Sequence, residues 1–190
     1  MSDGTGLTYP ARGATAPAAP LWPASPSGFR RYERTVAIGH GADAWTAARD
    51  AVVRWEVKRR SGFSVTPADG GGLRVREGGR YTVTAGPGRF AVREPVEVVA
   101  VVETADRCGF AYGTRRGHPV SGEEAFIVHR DDDGRVLLTL RSLTRAAPAG
   151  PWRFFFPVLL LAQSGARARY LRALTGNGGA PSRGRDIVTV

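Results

Sequence analysis

The sequence predicts an α+β domain in which an antiparallel sheet of about seven strands packs against a long C-terminal helix. Three observations carry this reading. A strand followed by a helical pattern opens the chain, short strands separated by tight-turn residues fill its middle, and a longer apolar-rich helical pattern closes it. At 190 residues the chain has the length of one domain with loose ends.

Residues 1–28 hold five of the 13 prolines among many Ala, Gly and Ser, and read as an extended, loop-like arm outside the core. Residues 29–175 form the domain. The stretch 176–190, opening with Gly176-Asn177-Gly178-Gly179, reads as a flexible tail. The first strand is expected over Arg30–Ile38, with Tyr32, Arg34, Val36 and Ile38 on one face. After Gly39-His40-Gly41, Ala44, Trp45, Ala48, Val52 and Trp55 recur at helical spacing. They predict one helix with Asp43 as N-cap, ending at Gly62. Lys58, Arg59 and Arg60 then suit the negative end of its dipole.

Strands are expected at Phe63–Thr66, Leu73–Arg76, Tyr81–Ala85, Phe90–Glu103 (broken near Pro95), Cys108–Thr114, Glu123–Arg130 and Arg135–Arg145. Asp133-Gly134 between two apolar runs is a tight-hairpin signal, and successive short strands make an antiparallel meander. The last helix is expected from about Trp152 to Leu174. It is apolar all round from Phe154 to Leu161, and its second half is amphipathic, with Leu159, Gln163, Ala166, Tyr170, Leu171 and Leu174 recurring.

Composition narrows the function classes. A single cysteine, Cys108, rules out an intramolecular disulfide and a thiolate metal cage. The N-terminus lacks a basic segment followed by an apolar one, and the longest apolar run is too short to span a bilayer. A soluble, cytoplasmic protein is the expectation. The net charge of +10 invites a nucleic-acid reading, but Lys58 is the only lysine, and the Ala-, Gly- and Pro-rich composition points to base-composition bias. The arginines are scattered, so a solvated basic surface is favoured over a nucleic-acid face. His40, His118 and His129 share no metal-ligand spacing, and Gly70-Gly71-Gly72 lacks the residues of a phosphate loop. Neither a metal nor a cofactor is expected.

The string Gly109-Phe110-Ala111-Tyr112-Gly113-Thr114, then Gly117-His118-Pro119, then Ser121-Gly122-Glu123-Glu124-Ala125-Phe126 resembles the signature of uncharacterised protein family 0548. Tyr9-Pro10 with Gly13-Ala14-Thr15, the Gly39-His40-Gly41 turn with Trp55, and Gln163–Leu174 agree, so the resemblance covers residues 7–174. Arg115-Arg116 depart from it, standing where the family pattern has an apolar residue and a proline. The element order is similar to the helix-grip superfamily of START domains, birch-pollen-allergen-like proteins and aromatic polyketide cyclases. That resemblance implies a curved sheet closing on the C-terminal helix around an apolar cavity. It also implies two short helices after the first strand, where the sequence pattern offers one longer helix.

Strand alternation puts Glu124, Phe126 and Val128 on one face, meeting Val136, Leu138 and Leu140 across the next hairpin, with Glu123 on the other face. Glu124 then enters the apolar concave side, where a carboxylate is costly unless partnered. It either pairs with an arginine such as Arg141 or serves a ligand as acid, base or polar anchor. Glu123 is expected in solvent. His118, in a turn before proline, is either exposed or reaches the cavity mouth. The candidate ligand-binding residues are Trp55, Tyr112, His118, Glu124, Phe126 and Leu138. The expected function is carriage or sensing of a small apolar or amphipathic molecule. The alternatives are a cyclase, dehydratase or hydrolase using Glu124 and His118, and a nucleic-acid or partner-binding module using the arginine surface.

Overall fold

A computed structural model of the chain describes residues 6–86, 88–147 and 156–175. Strand β1 (Arg30–His40) leads through helices α1 (Gly41–Val52) and α2 (Glu56–Arg59) to β2 (Phe63–Pro67) and β3 (Arg80–Ala85). Strands β4 (Val92–Glu103), β5 (Arg107–Thr114), β6 (Val120–Arg130) and β7 (Arg135–Ala146) follow, and α3 (Phe156–Arg172) closes the order. These strands form one antiparallel sheet in the order β1-β7-β6-β5-β4-β3-β2. It is curved and open, closing on α3 in the helix-grip manner. Register shifts at Ala37/Gly39 in β1 and at Val98/Ala100 in β4 insert bulges, which bend a sheet and increase its twist.

The concave face carries the core. Phe110, Phe126, Val128, Leu138 and Leu140 pack there against Trp45, Val52 and Trp55 from the helical segment and Ala166, Tyr170 and Leu171 from α3. The β6–β7 hairpin turns at Asp131–Gly134, with Gly134 at φ +78°, as its Asp-Gly signal predicts.

Four expectations need correction. The single first helix is two, because Trp55 adopts a left-handed backbone (φ 63°) that ends α1's path and restarts α2. Such a conformation costs a bulky residue about 1–3 kcal/mol. What offsets it is the indole, fully buried with ring centroids 4.6 Å from Phe110, 5.0 Å from Tyr81 and 5.3 Å from Tyr112. The N-cap is His40 rather than Asp43, which lies in the first turn. Leu73–Arg76 is not a strand: Val75 docks on the helical segment, its N–H donating to the Val53 carbonyl at 2.8 Å. Strand β4 runs unbroken through Pro95, which has no N–H to give but whose carbonyl accepts from Arg115 N at 2.9 Å.

The described part of the arm, residues 6–28, is not outside the core. Tyr9, Thr15 and Trp22 are buried on the convex face. The expected run of apolar residues at Phe154–Leu161 and the tail from 176 lie outside the described side chains, except that Leu160 is half-buried. No described helix is long and apolar enough to cross a membrane.

Candidate functional site

Two neighbouring glutamates on β6 show how a strand divides its labour. Glu123 faces the convex side and is buried, not solvated as expected. One of its oxygens accepts from Tyr9 Oη at 2.6 Å and Gly13 N at 2.8 Å, and the other from Thr15 N at 2.8 Å and from Thr15 Oγ1. Every donor comes from the arm, so Glu123 is the peg on which residues 9–15 hang. Arg141, across the strand pair, donates to the carbonyls of Ala16, Ala19 and Pro20 at 2.7–3.0 Å and to Glu33 at 2.8 Å. It therefore does not partner Glu124. Gly113 is required because a Cβ there would lie 2.2 Å from Tyr9 Oη.

Glu124 points the other way, into the concave interior, where its partner is Lys58. The ammonium stands 2.9 Å from Glu124 Oε2 and donates to Tyr170 Oη at 2.7 Å, and Tyr112 Oη donates to the same carboxylate oxygen. Four aromatic rings, Phe63, Tyr112, Phe126 and Tyr170, stand 4.5–5.7 Å from the Lys58 nitrogen. Burial alone would drive this ammonium towards its neutral form. The carboxylate of Glu124 and the surrounding hydroxyls outweigh burial and hold Lys58 protonated, well above the ordinary lysine value. Burial, reinforced by Glu124, keeps the Tyr112 hydroxyl protonated, and burial does the same for Tyr170.

Lys58, Glu124, Tyr112 and Tyr170 all line a cavity of about 250 Å³ between the sheet and α3. Its walls include Phe63, Val92, Leu143 and Ala166, and Gln163 and Arg169 of α3 also line it. That volume lies at the small end for ligand sites, which are typically ~300–1,000 Å³. Glu94 and His118 complete the polar lining. Val120 N donates to His118 Nδ1 at 3.1 Å, so the neutral ring carries its proton on Nε2, 4.0 Å from Glu94 Oε2. Burial, with the Lys58 charge adding to it, pulls the His118 pKa down to about 3. The ring is therefore neutral throughout the physiological range. Glu94 moves the opposite way: burial raises its pKa, against the attraction of Lys58 and helped by the repulsion of Glu124.

Of the expected ligand-binding residues, Tyr112, His118 and Glu124 lie on this cavity. Trp55, Phe126 and Leu138 sit behind it in the packed core. His118 faces Glu94, not Glu124. Sequence reasoning missed Lys58 and Glu94. Lys58 had one visible signal, as the only lysine among 27 basic residues. Glu94 shares the alternation Val92-Glu94-Val96-Val98, the same pattern that marks Glu124, but reading Pro95 as a break concealed it. Among the described residues, no cluster of His, Cys, Asp and Glu has a metal-binding arrangement.

Residues 8–173 match a domain family of unknown function, DUF1990. The chain belongs to the DUF1990 family. A UPF0548 protein of Deinococcus radiodurans is 31% identical over 157 residues, covering 79% of each chain. Among solved structures, the DUF1990 chain is similar to hypothetical protein jhp0584 from Helicobacter pylori, with a TM-score of 0.56 and 15% identity over 80% of this chain and 89% of that one. It is also similar to norcoclaurine synthase from Thalictrum flavum in complex with dopamine and hydroxybenzaldehyde. There the TM-score is 0.53 with 13% identity, over 77% of this chain and 84% of that one. At these identities the likeness establishes a shared fold. Within the DUF1990 domain, the signature around residues 109–126 serves both faces of the sheet: Gly113 and Glu123 hold the arm, while Tyr112, His118 and Glu124 line the cavity.

Proposed function

We propose that this domain binds a small, largely apolar molecule in the cavity between the sheet and α3, in the role of a carrier or sensor. The observation that carries the reading is the Lys58–Glu124–Tyr112–Tyr170 cluster on the wall of an otherwise mostly apolar hollow. A buried ion pair is weak evidence for stability, because apolar residues of similar volume fill such a space at equal or lower cost. Placing one where a cavity opens, with hydroxyls around it, fits a polar anchor for a ligand's end.

An enzyme acting in the same cavity is the second reading, and Glu94 favours it as a cavity carboxyl with a raised pKa. His118 does not suit the role of base near neutral pH. The arginine surface offers less to nucleic acid: Arg59 and Arg60 pair with Glu56, Arg74 with Glu103, Arg76 with Asp69 and Arg135 with Asp131.

Native mass spectrometry of the purified protein tests the binding reading. A co-purifying small molecule is expected in the wild type and absent from Ala166→Phe, which fills the cavity from α3. Overpacking of this kind costs about 1–3 kcal/mol, so the variant should still fold. An adduct that persists undiminished in a folded Ala166→Phe protein places the ligand elsewhere and removes the reading.

A further inference from the structure

Besides its tyrosines, the cavity is lined by six ionisable side chains: Lys58, Glu94, His118, Glu123, Glu124 and Arg169. Four of them have their charge settled within the protein. Lys58 and Glu124 pair with each other at 2.9 Å. Glu123 accepts from Tyr9, Gly13 and Thr15 of the arm. His118 is uncharged, its Nδ1 accepting from Val120 N. Glu94 and Arg169 remain.

Glu94 of β4 forms no hydrogen bond among the described residues, and its one ion-pair contact there is with the neutral His118, at 4.0 Å. Arg169 of α3 has no acidic partner among the described residues. Other exposed arginines do: Arg59 and Arg60 share Glu56, and Arg74, Arg76 and Arg135 each hold a carboxylate. The Arg169 guanidinium carbon instead stands 5.8 Å from the ring of Phe63, itself a wall of the cavity, while the residue stays exposed to water. Phe63 pairs with Ala85, and Ala85 with Val92, two residues before Glu94 on the same face of β4. Two strand spacings and a two-residue step put about 12 Å of backbone between Phe63 and Glu94. The cavity therefore carries two opposite charge-bearing groups that do not pair with each other, with Ala85 and Val92 lining the space between them. A ligand with a single charge would meet one of these groups and leave the other, and a wholly apolar ligand would leave both.

We infer, resting on the binding reading above, that the ligand is a free amino acid with a large apolar side chain. Its ammonium pairs with Glu94, its carboxylate with Arg169, and its side chain lies against Phe63, Val92, Leu143 and Ala166. Where Glu94 holds a proton, that proton passes to solvent as the ammonium docks, so the pairing does not depend on the protonation state beforehand. The guanidinium offers a carboxylate its planar fork of donors, and at an exposed position it keeps much of its hydration while doing so. A cavity of about 250 Å³, small for a ligand site, suits a molecule of this size.

The test compares tryptophan by calorimetry with tryptamine, indolepropionate and ethylindole, which lack the carboxylate, the amine and both. Tryptophan is expected to bind roughly tenfold or more tighter than each of the others. Arg169→Gln, at an exposed position, should erase its advantage over tryptamine and keep its advantage over indolepropionate. Glu94→Gln should do the reverse. Any order that does not put tryptophan first overturns the amino-acid inference and leaves the cavity reading standing. So does a preference for tryptophan that survives both substitutions, because its charges are then met elsewhere. Failure of all four compounds to bind, ethylindole included, overturns both. If Glu94→Gln does not fold, the wild-type series and Arg169→Gln decide the matter alone.

Discussion

A lysine buried on the wall of a mostly apolar cavity stays charged only if something pairs with it, and here Glu124 does so. Lys58→Met is therefore expected to lose about 3–5 kcal/mol in chemical denaturation, because it strands a buried carboxylate. Lys58→Met combined with Glu124→Leu should recover much of that loss. A single variant as stable as the wild type would contradict the buried pairing. His118 makes a second prediction. Its folded pKa of about 3 lies below the ordinary 6.5, so the unfolded chain binds more protons between those values. Its contribution to stability is complete above about pH 6.5 and is lost as pH falls towards 3, by at most ~1.4 kcal/mol per pH unit. Thermal melts across that window should show a shallower acid decline in His118→Gln. Glu124 was legible in the sequence because strand alternation alone assigns its face. Lys58 was not, because an unbroken helix through Trp55 would leave it at a solvated helix end, and only the left-handed turn at Trp55 brings it inside.

At the level of elements, the arm and the β5–β6 hairpin are one assembly. Its parts are remote in sequence, and no local pattern links Tyr9 to Glu123, which is why the arm read as loose. Tyr9→Phe removes one of the donors to a buried carboxylate and is expected to cost about 1–3 kcal/mol. Gly113→Ala should cost a similar amount, since its methyl group would intrude on the Tyr9 ring. In a Tyr9→Ala background the same Gly113 change should be nearly neutral. Non-additivity in that double-mutant cycle, read from denaturation midpoints, separates the steric account from a general intolerance of Ala in β5. The strands were legible where turn residues bound them, as at Asp133-Gly134. They were misread at Leu73–Arg76, where burial of Val75 against the helical segment imitates a strand pattern.

For the molecule as a whole, the α+β order and the antiparallel meander follow from the chain's own periodicities. The pairing of β1 with β7 does not, because it joins residues 95 to 114 positions apart, from His40↔Arg135 to Arg30↔Thr144. The convex face has its own small apolar cluster of Val99, Ala111, Ala125 and Ile127, which Leu7 of the arm helps to cover. Deleting residues 1–24 should therefore lower Tm and promote self-association visible by light scattering. It would uncover that patch and leave Glu123, Arg107 and Arg141 without the arm groups they bind. An unchanged Tm in the truncated protein would show that the arm adds nothing to stability.

Glu123 and Glu124 are joined by one peptide bond, yet one holds the arm outside and the other faces the lysine inside. Parity, then, is what the hairpin must preserve. Inserting a single residue within β6 ahead of them would exchange their faces, leaving a carboxylate without its lysine and an arm without its peg. The short bend at Arg115–Pro119 separates the two strands of that hairpin, and the same parity must hold across it if His118 is to stay on the cavity.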